Sequence, residues 1–282
     1  MSERAPGWLT GPVGFVFGGG GVLGAYEVGM ARAVLRHGIR PDLVVGTSIG
    51  ALNGAAVAAT PDERAAERLT ELWSSAQART IYGDSLPRQL GRFARRTHLH
   101  SPAPLRRLLE RELGATTTFA DLPVPFQCCA ASIERAAEHW FSTGPLVDAV
   151  LASSAVPGLL PPVPLENEHF IDGGIVNSVP VGRAVALGAR TVFVMQVGRI
   201  ERPLRPPRRP WDVAQVAFEV ARRHRFAREL QEAPAGVTVH VLPTGGGSPR
   251  DDSPLSYRKV ALARGRIDRA DEATRAYLEA QG

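Results

Sequence analysis

Residues 42–53 read Asp42-Leu-Val-Val-Gly46-Thr-Ser48-Ile-Gly50-Ala-Leu-Asn53. A short run, Asp42-Leu-Val-Val45, meets Gly46, and a segment of small residues from Ile49 to Ala59 follows at once. The pattern predicts a strand, a tight turn and a closely packed helix, with Gly-x-Ser-x-Gly at the turn. A turn this sharp forces the serine backbone into a strained conformation, and Gly46 and Gly50 let neighbouring chain pass close by. The Ser48 hydroxyl is then held out at the end of a sheet and at a helix N-terminus. Free N–H groups and the helix dipole favour developing negative charge there.

Working upstream, Val13-Gly-Phe-Val-Phe17 reads as a first strand ended by glycines. Ala25 to Leu35 carries Val28, Ala31, Val34 and Leu35 at helical spacing, with Gly38 as its stop. Downstream, Thr60-Pro61-Asp62-Glu63 opens a further helix, with Thr60 as cap and Pro61 in the first turn. The order β-α-β-α-α belongs to a parallel sheet covered by helices. Ser101-Pro102 starts a helix running to about Leu113, and 126–133 and 138–142 read as strands around a turn at Glu134–Ala137. Further strands are expected at 190–197 and 236–242, helices at 211–232 and 255–279, and loose segments at 199–210 and 244–254. The elements interleave without a break. One domain is therefore expected, with residues 13–185 as its core and 186–282 completing it.

Gly18-Gly-Gly-Gly21-Val-Leu-Gly24 also joins a strand to a helix. Gly19, Gly21 and Gly24 satisfy Gly-x-Gly-x-x-Gly, the spacing of a dinucleotide-binding loop. That site wants an acidic residue at the end of the second strand. Asp42 lies at the start of its strand, so the fit is poor. The other reading is an oxyanion hole made by the N–H groups of Gly19, Gly20 and Gly21, where one donor is typically worth about 10²–10³ in rate. A purely structural turn is the third.

His169-Phe-Ile171 reads as a short strand leading into Asp172-Gly173-Gly174. A carboxylate at a sheet edge can take a serine proton from within about 3 Å. Equally, Asp172 can bond its own backbone in an Asx turn.

Taken together, Gly18–Gly24 with Ala25-Tyr26, Gly46–Gly50, Ser154-Ala155-Val156-Pro157-Gly158, and Asp172–Gly174 with Pro180-Val181 resemble the patatin-like phospholipase family. The motifs stand in order across residues 13–185. The resemblance implies a three-layer α/β/α sandwich with a mostly parallel central sheet. It implies a serine–aspartate dyad, with Ser48 as nucleophile and Asp172 as base, and an oxyanion loop at Gly19–Gly21. The activity implied is hydrolysis of lipid acyl esters without a metal or other cofactor. Leu23 stands where the family's loop usually carries Arg or Lys. A non-catalytic lipid- or partner-binding relative is the alternative that Leu23 raises.

A second alternative is a Ser48–Asp172–His240 triad, which matches the chain order of α/β-hydrolases. That fold's elbow normally follows several strands, whereas this one follows the second. Moreover, His240 sits inside an alternating strand, Val237 to Leu242.

Composition sets the frame. The 282 residues are 44% hydrophobic and 22% charged, which excludes a largely disordered chain. The net charge of +5 is mild over this length, and no nucleic-acid module is present, so no nucleic-acid partner is expected. Cys128 and Cys129 are adjacent in a strand, point to opposite faces, and read as buried packing in a reducing interior. Val13–Phe17 is too short for a signal peptide and no segment reaches 18 apolar residues, so a cytoplasmic protein is expected. Arg88, Arg92, Arg95, Arg96, Arg106, Arg107 and Arg111 form one basic cluster. Arg202, Arg205, Arg208 and Arg209, followed by Trp211, form another. These suit peripheral contact with an anionic membrane surface, or solvated faces.

Overall fold

Strands β1 (Val13–Phe17), β2 (Leu43–Thr47) and β7 (Thr191–Met195) are buried along their whole length. They read as continuous apolar runs because both faces of the sheet are covered. The computed structural model describes residues 7–75, 98–197, 200, 203–246 and 262–281. The remaining strands are β3 (Phe126–Ser132), β4 (Ala137–Phe141), β5 (Val163–Leu165), β6 (Glu168–Asp172) and β8 (Thr238–Val241). They build one eight-stranded sheet in the order β5-β6-β3-β2-β1-β7-β8, with β4 on β3. The β3-β2-β1-β7-β8 stretch is parallel, and β4, β5 and β6 join antiparallel.

The helices are α1 (Ala25–Arg36), α2 (Ile49–Ala59), α3 (Glu63–Ser74), α4 (Ala103–Leu113), α5 (Leu146–Ser153), α6 (Val181–Ala186), α7 (Pro210–Gln231) and α8 (Ala263–Glu279). Two hydrophobic clusters separate them into layers. Phe15, Phe17, Val44, Phe193 and Met195 point into the first cluster, among side chains of α1 to α5 and α8. The alternate residues Val16, Leu43, Val45, Val192 and Val194 point into the second, with Val181 of α6 and Phe226 of α7. This period-two division across buried strands is the expected three-layer α/β/α sandwich.

The feature that positions the site lies on β3. Residues 128–132 pair with β4, residues 126–129 with β2, and residues 130–132 with β6. A strand has two edges, and β4 overlaps both other partners, so β2 and β6 share the edge opposite β4. They run towards each other along it. Thr47, the last residue of β2, sits opposite Cys129, and Asp172, the last of β6, sits opposite Ala130. The two chains therefore meet head-on at neighbouring positions and turn away.

Several boundaries differ from expectation. Helix α3 starts at Glu63 because Asp62, not Thr60, caps it, its side chain accepting the Arg64 N–H at 2.9 Å. Asp42 lies outside β2, its Oδ2 accepting the Val13 N–H at 2.7 Å. β5 is three residues long and contains Pro164, which suppresses any strand signature. The strands expected at 190–197 and 236–242 are shorter at both ends, and of the expected helix 255–279 the residues 263–279 are described. Most of the loose segment 244–254 lies outside the described residues.

Candidate active site

The Ser48 backbone has φ 56° and ψ −125°, a conformation that side chains other than hydrogen rarely adopt. Close packing enforces it. A Cβ on Gly46 would lie 2.5 Å from the Gly50 carbonyl oxygen, and one on Gly50 would lie 2.3 Å from that of Phe17. Only glycines allow α2 to begin this near to β1 and β2. Hydrogen bonds hold the strained residue from behind. The Ser48 N–H donates to Ser153 Oγ at 2.9 Å, and that hydroxyl donates to the Cys129 carbonyl at 2.5 Å. Ser154 Oγ donates to the Ser48 carbonyl at 3.1 Å.

The Ser48 hydroxyl donates to Asp172 Oδ2 at 2.5 Å, and both residues are buried. The other carboxylate oxygen, Oδ1, accepts the Gly174 N–H at 2.7 Å. The two sequence readings of Asp172, proton acceptor and Asx turn, thus coexist on different oxygens. Burial raises the Asp172 pKa from 3.8 to about 6, against the bonds from Ser48 and Gly174, which lower it. Gly173 passes so close to β3 that a Cβ would lie 2.1 Å from the Cys129 oxygen.

Gly19, Gly20 and Gly21 line the same cavity as Ser48 and Asp172, a space of about 410 Å³. Its walls are largely apolar, with Val156, Pro157, Leu159, Ile175 and Phe218. Gly18 and Gly19 are anchored, the Gly18 N–H to the Met195 carbonyl at 3.0 Å and the Gly19 N–H to the Ser178 carbonyl at 2.7 Å. The expected set of three donors therefore narrows: the Gly19 N–H is held within the fold, and Gly20 and Gly21 follow it along the cavity wall. Gly24 sits behind the loop, where a Cβ would meet Ile49 at 2.9 Å. Leu23 is buried in the core rather than at the cavity.

His240 is not brought to the pair. It lies on β8, three strands from β2 and so about 14 Å across the sheet. Its ring stacks on Phe193, and Nδ1 is 3.0 Å from the Tyr277 hydroxyl. Burial lowers its pKa. Asp42 is at the opposite end of the strands from the glycine loop, away from where a bound dinucleotide ribose would need its carboxylate. Cys128 and Cys129 are buried free thiols, their pKa values raised by burial.

Four contributors carry no mark in the sequence reading: Ser153, Ser178, Phe218 and Arg222. The Arg222 Nη1 donates to the Gly19 carbonyl at 3.1 Å, and its side chain lines the cavity. A helical Glu-x-x-Arg, Glu219 to Arg222, was the only local signal, and it looks like any surface i,i+3 pair. Of the first basic cluster, Arg106 pairs with Asp148 and Arg111 with Glu112, while Arg88, Arg92, Arg95 and Arg96 lie outside the described residues. Arg205, Arg208 and Arg209 are exposed, and Arg202 and the Trp211 side chain lie outside the described residues.

Fold and site together define an α/β/α sandwich with a buried serine–carboxylate pair at the end of its sheet, facing a glycine loop. The model of the patatin-like phospholipase family matches residues 15–185, and the chain belongs to that family. It is 35% identical over 196 residues to a patatin-like phospholipase domain-containing protein of Caenorhabditis elegans, covering 68% of this chain and 14% of that protein. Lysophospholipase NTE1 of Mycosarcoma maydis is 30% identical over 203 residues, covering 67% of this chain and 10% of that one. The chain thus spans less than a fifth of the length of these relatives. Among solved structures, VipD from Legionella pneumophila aligns with a TM-score of 0.47 at 15% identity, over 95% of this chain and 66% of that one.

Proposed function

We propose that this protein hydrolyses lipid acyl esters through a Ser48–Asp172 dyad and an acyl-enzyme. The observation that carries the reading is the 2.5 Å contact from Ser48 Oγ to Asp172 Oδ2 at the floor of an apolar-walled cavity. Asp172 takes the hydroxyl proton as Ser48 Oγ bonds to the ester carbonyl carbon. The carbonyl oxygen becomes an oxyanion facing the N–H groups of Gly20 and Gly21. Collapse of the intermediate breaks the ester C–O bond, and the leaving alcohol or lysolipid takes the proton from Asp172. Water then attacks the acyl-serine, its proton passing to Asp172 and on to Ser48 as the fatty acid leaves. The relatives named lysophospholipase favour a phospholipid or lysophospholipid substrate. Residues 186–282 belong, on this reading, to the same folding unit as 13–185, since β7 pairs with β1 and α8 packs on α1. The proposed setting is cytoplasmic with peripheral membrane contact, and among the described residues no helix is long and apolar enough to cross a membrane.

Ser48→Ala and Asp172→Asn should each reduce turnover of a fatty-acyl ester by at least about 10³-fold with the fold intact by circular dichroism. A fluorophosphonate probe should label wild type and not Ser48→Ala. Wild-type turnover by purified Ser48→Ala would end the dyad assignment.

A further inference from the structure

We infer that Arg222, on helix α7, is the positioning residue of the oxyanion loop. The inference rests on the role proposed above for the Gly20 and Gly21 N–H groups. A run of glycines has the widest backbone freedom of any sequence, so a loop built from Gly18 to Gly21 needs anchors outside itself. Two anchors meet at Gly19. Its N–H donates to the Ser178 carbonyl at 2.7 Å, and its carbonyl accepts from Arg222 Nη1 at 3.1 Å.

The second anchor matters for the neighbouring donor. The Gly19 carbonyl and the Gly20 N–H are opposite ends of one planar trans peptide unit. Whatever grips the oxygen sets the direction of the N–H. A cation on the oxygen also polarises the unit and strengthens the N–H as a donor. Arg222 acts on the oxyanion through this peptide.

The guanidinium is itself held rigidly. Its side chain is 4% exposed, Nη2 donates to Glu219 Oε2 at 2.9 Å, and Nη1 lies 3.4 Å from Ser178 Oγ. A planar fork with several directed donors can reach the loop carbonyl and Glu219 at once, which an ammonium cannot do with the same geometry. Within the loop, the side chain at position 23 is Leu23, buried in the core. The cation on this loop is therefore supplied from the far C-terminal side of the chain.

The test uses three variants of the full chain: Arg222→Ala, Arg222→Lys, and the double variant Glu219→Gln/Arg222→Met, which leaves no buried carboxylate without its partner. Active sites are counted by fluorophosphonate titration, so kcat is expressed per competent molecule on a short-chain ester. Loss of loop positioning should lower kcat roughly 10- to 100-fold in Arg222→Ala and the double variant, with KM changed by less than about threefold. Arg222→Lys should keep a partial rate, and added guanidinium ion should restore part of the rate to Arg222→Ala. A purely structural ion pair would lower the melting temperature and the titrated fraction, but leave kcat per site within about twofold of wild type. That result in Arg222→Ala or in the double variant overturns the inference. If instead Ser48→Ala keeps its turnover, the dyad reading fails, whatever the Arg222 variants do.

Discussion

Asp172 sits where two demands conflict. As the proposed base it must be ionised to take a proton, yet burial disfavours its charge and lifts its pKa from 3.8 to about 6. The rate at saturating substrate should therefore rise with pH through about 6 and level off above it, and a flat profile from pH 5 to 8 would contradict the role. Stability moves the other way. The folded chain holds this proton more tightly than the unfolded one, so Asp172's contribution to stability falls as pH rises from about 4 to about 6. Above pH 6 the full penalty stands, equivalent to about 3 kcal/mol from the size of that shift. Asp172→Asn should consequently melt several degrees higher than wild type at pH 8, and the gain should vanish below about pH 4. Calorimetry across that range checks it. Ser48 and the loop glycines were legible in sequence because each is tied to a local turn that demands its residue type, whereas Asp172 was paired with Ser48 only through the family resemblance. Ser153 and Arg222 were not legible, because they act across 105 and 203 residues through side-chain contacts with no local pattern.

At the scale of elements, the C-terminal turn of α5 is the brace of the elbow. Its last residue, Ser153, stands between two buried backbone groups, the Ser48 N–H and the Cys129 carbonyl. Ser153→Ala strands both, and should destabilise the protein by about 2 kcal/mol or more. It should also lower kcat, because the strained backbone of Ser48 loses the bond that offsets it. Chemical denaturation and steady-state kinetics are the measures, and unchanged values of both would show that the elbow is held without Ser153. The order of elements was readable along most of the chain, from β1 through α4, β3 and β4 to β7, α7 and β8, where apolar runs and turn residues alternate. The antiparallel part was harder. β5 is three residues long and contains Pro164, and its strand character comes from pairing with β6 rather than from its own residues.

Across the whole molecule the two layers are unequal. One face of the sheet carries α1 to α5 and α8, and the other carries α6 and α7. The thin layer supplies the cavity's Phe218 and Arg222. Ile175 and Phe218, both on the cavity wall, are exposed, and Arg205, Arg208 and Arg209 lie just before α7. Exposed apolar side chains at the cavity and exposed cations in the segment before α7 together suit docking on an anionic bilayer. Co-sedimentation with phosphatidylserine vesicles should exceed that with neutral phosphatidylcholine vesicles and fall with added salt. Equal binding to both would remove the electrostatic part. A parallel sheet covered by helices was predictable from the β-α-β-α-α order, and the three layers followed from the family resemblance. The placement of the C-terminal third was not, because no motif there announces that β7 lies beside β1 or that a Cβ on Gly29 of α1 would strike the Ile267 carbonyl of α8.

The head-on meeting of β2 and β6 along one edge of β3 has a consequence for the history of each molecule. Ser48 and Asp172 are 124 residues apart, and a third strand, β3, aligns the two that carry them. No hairpin or local fragment can assemble the pair, and a chain still emerging from the ribosome has a nucleophile long before it has a base. On the proposed mechanism, esterase competence therefore arrives with global folding rather than ahead of it. A titration of reactive serine then doubles as a census of finished molecules, and a burst of probe labelling during refolding would time the closing of the sheet.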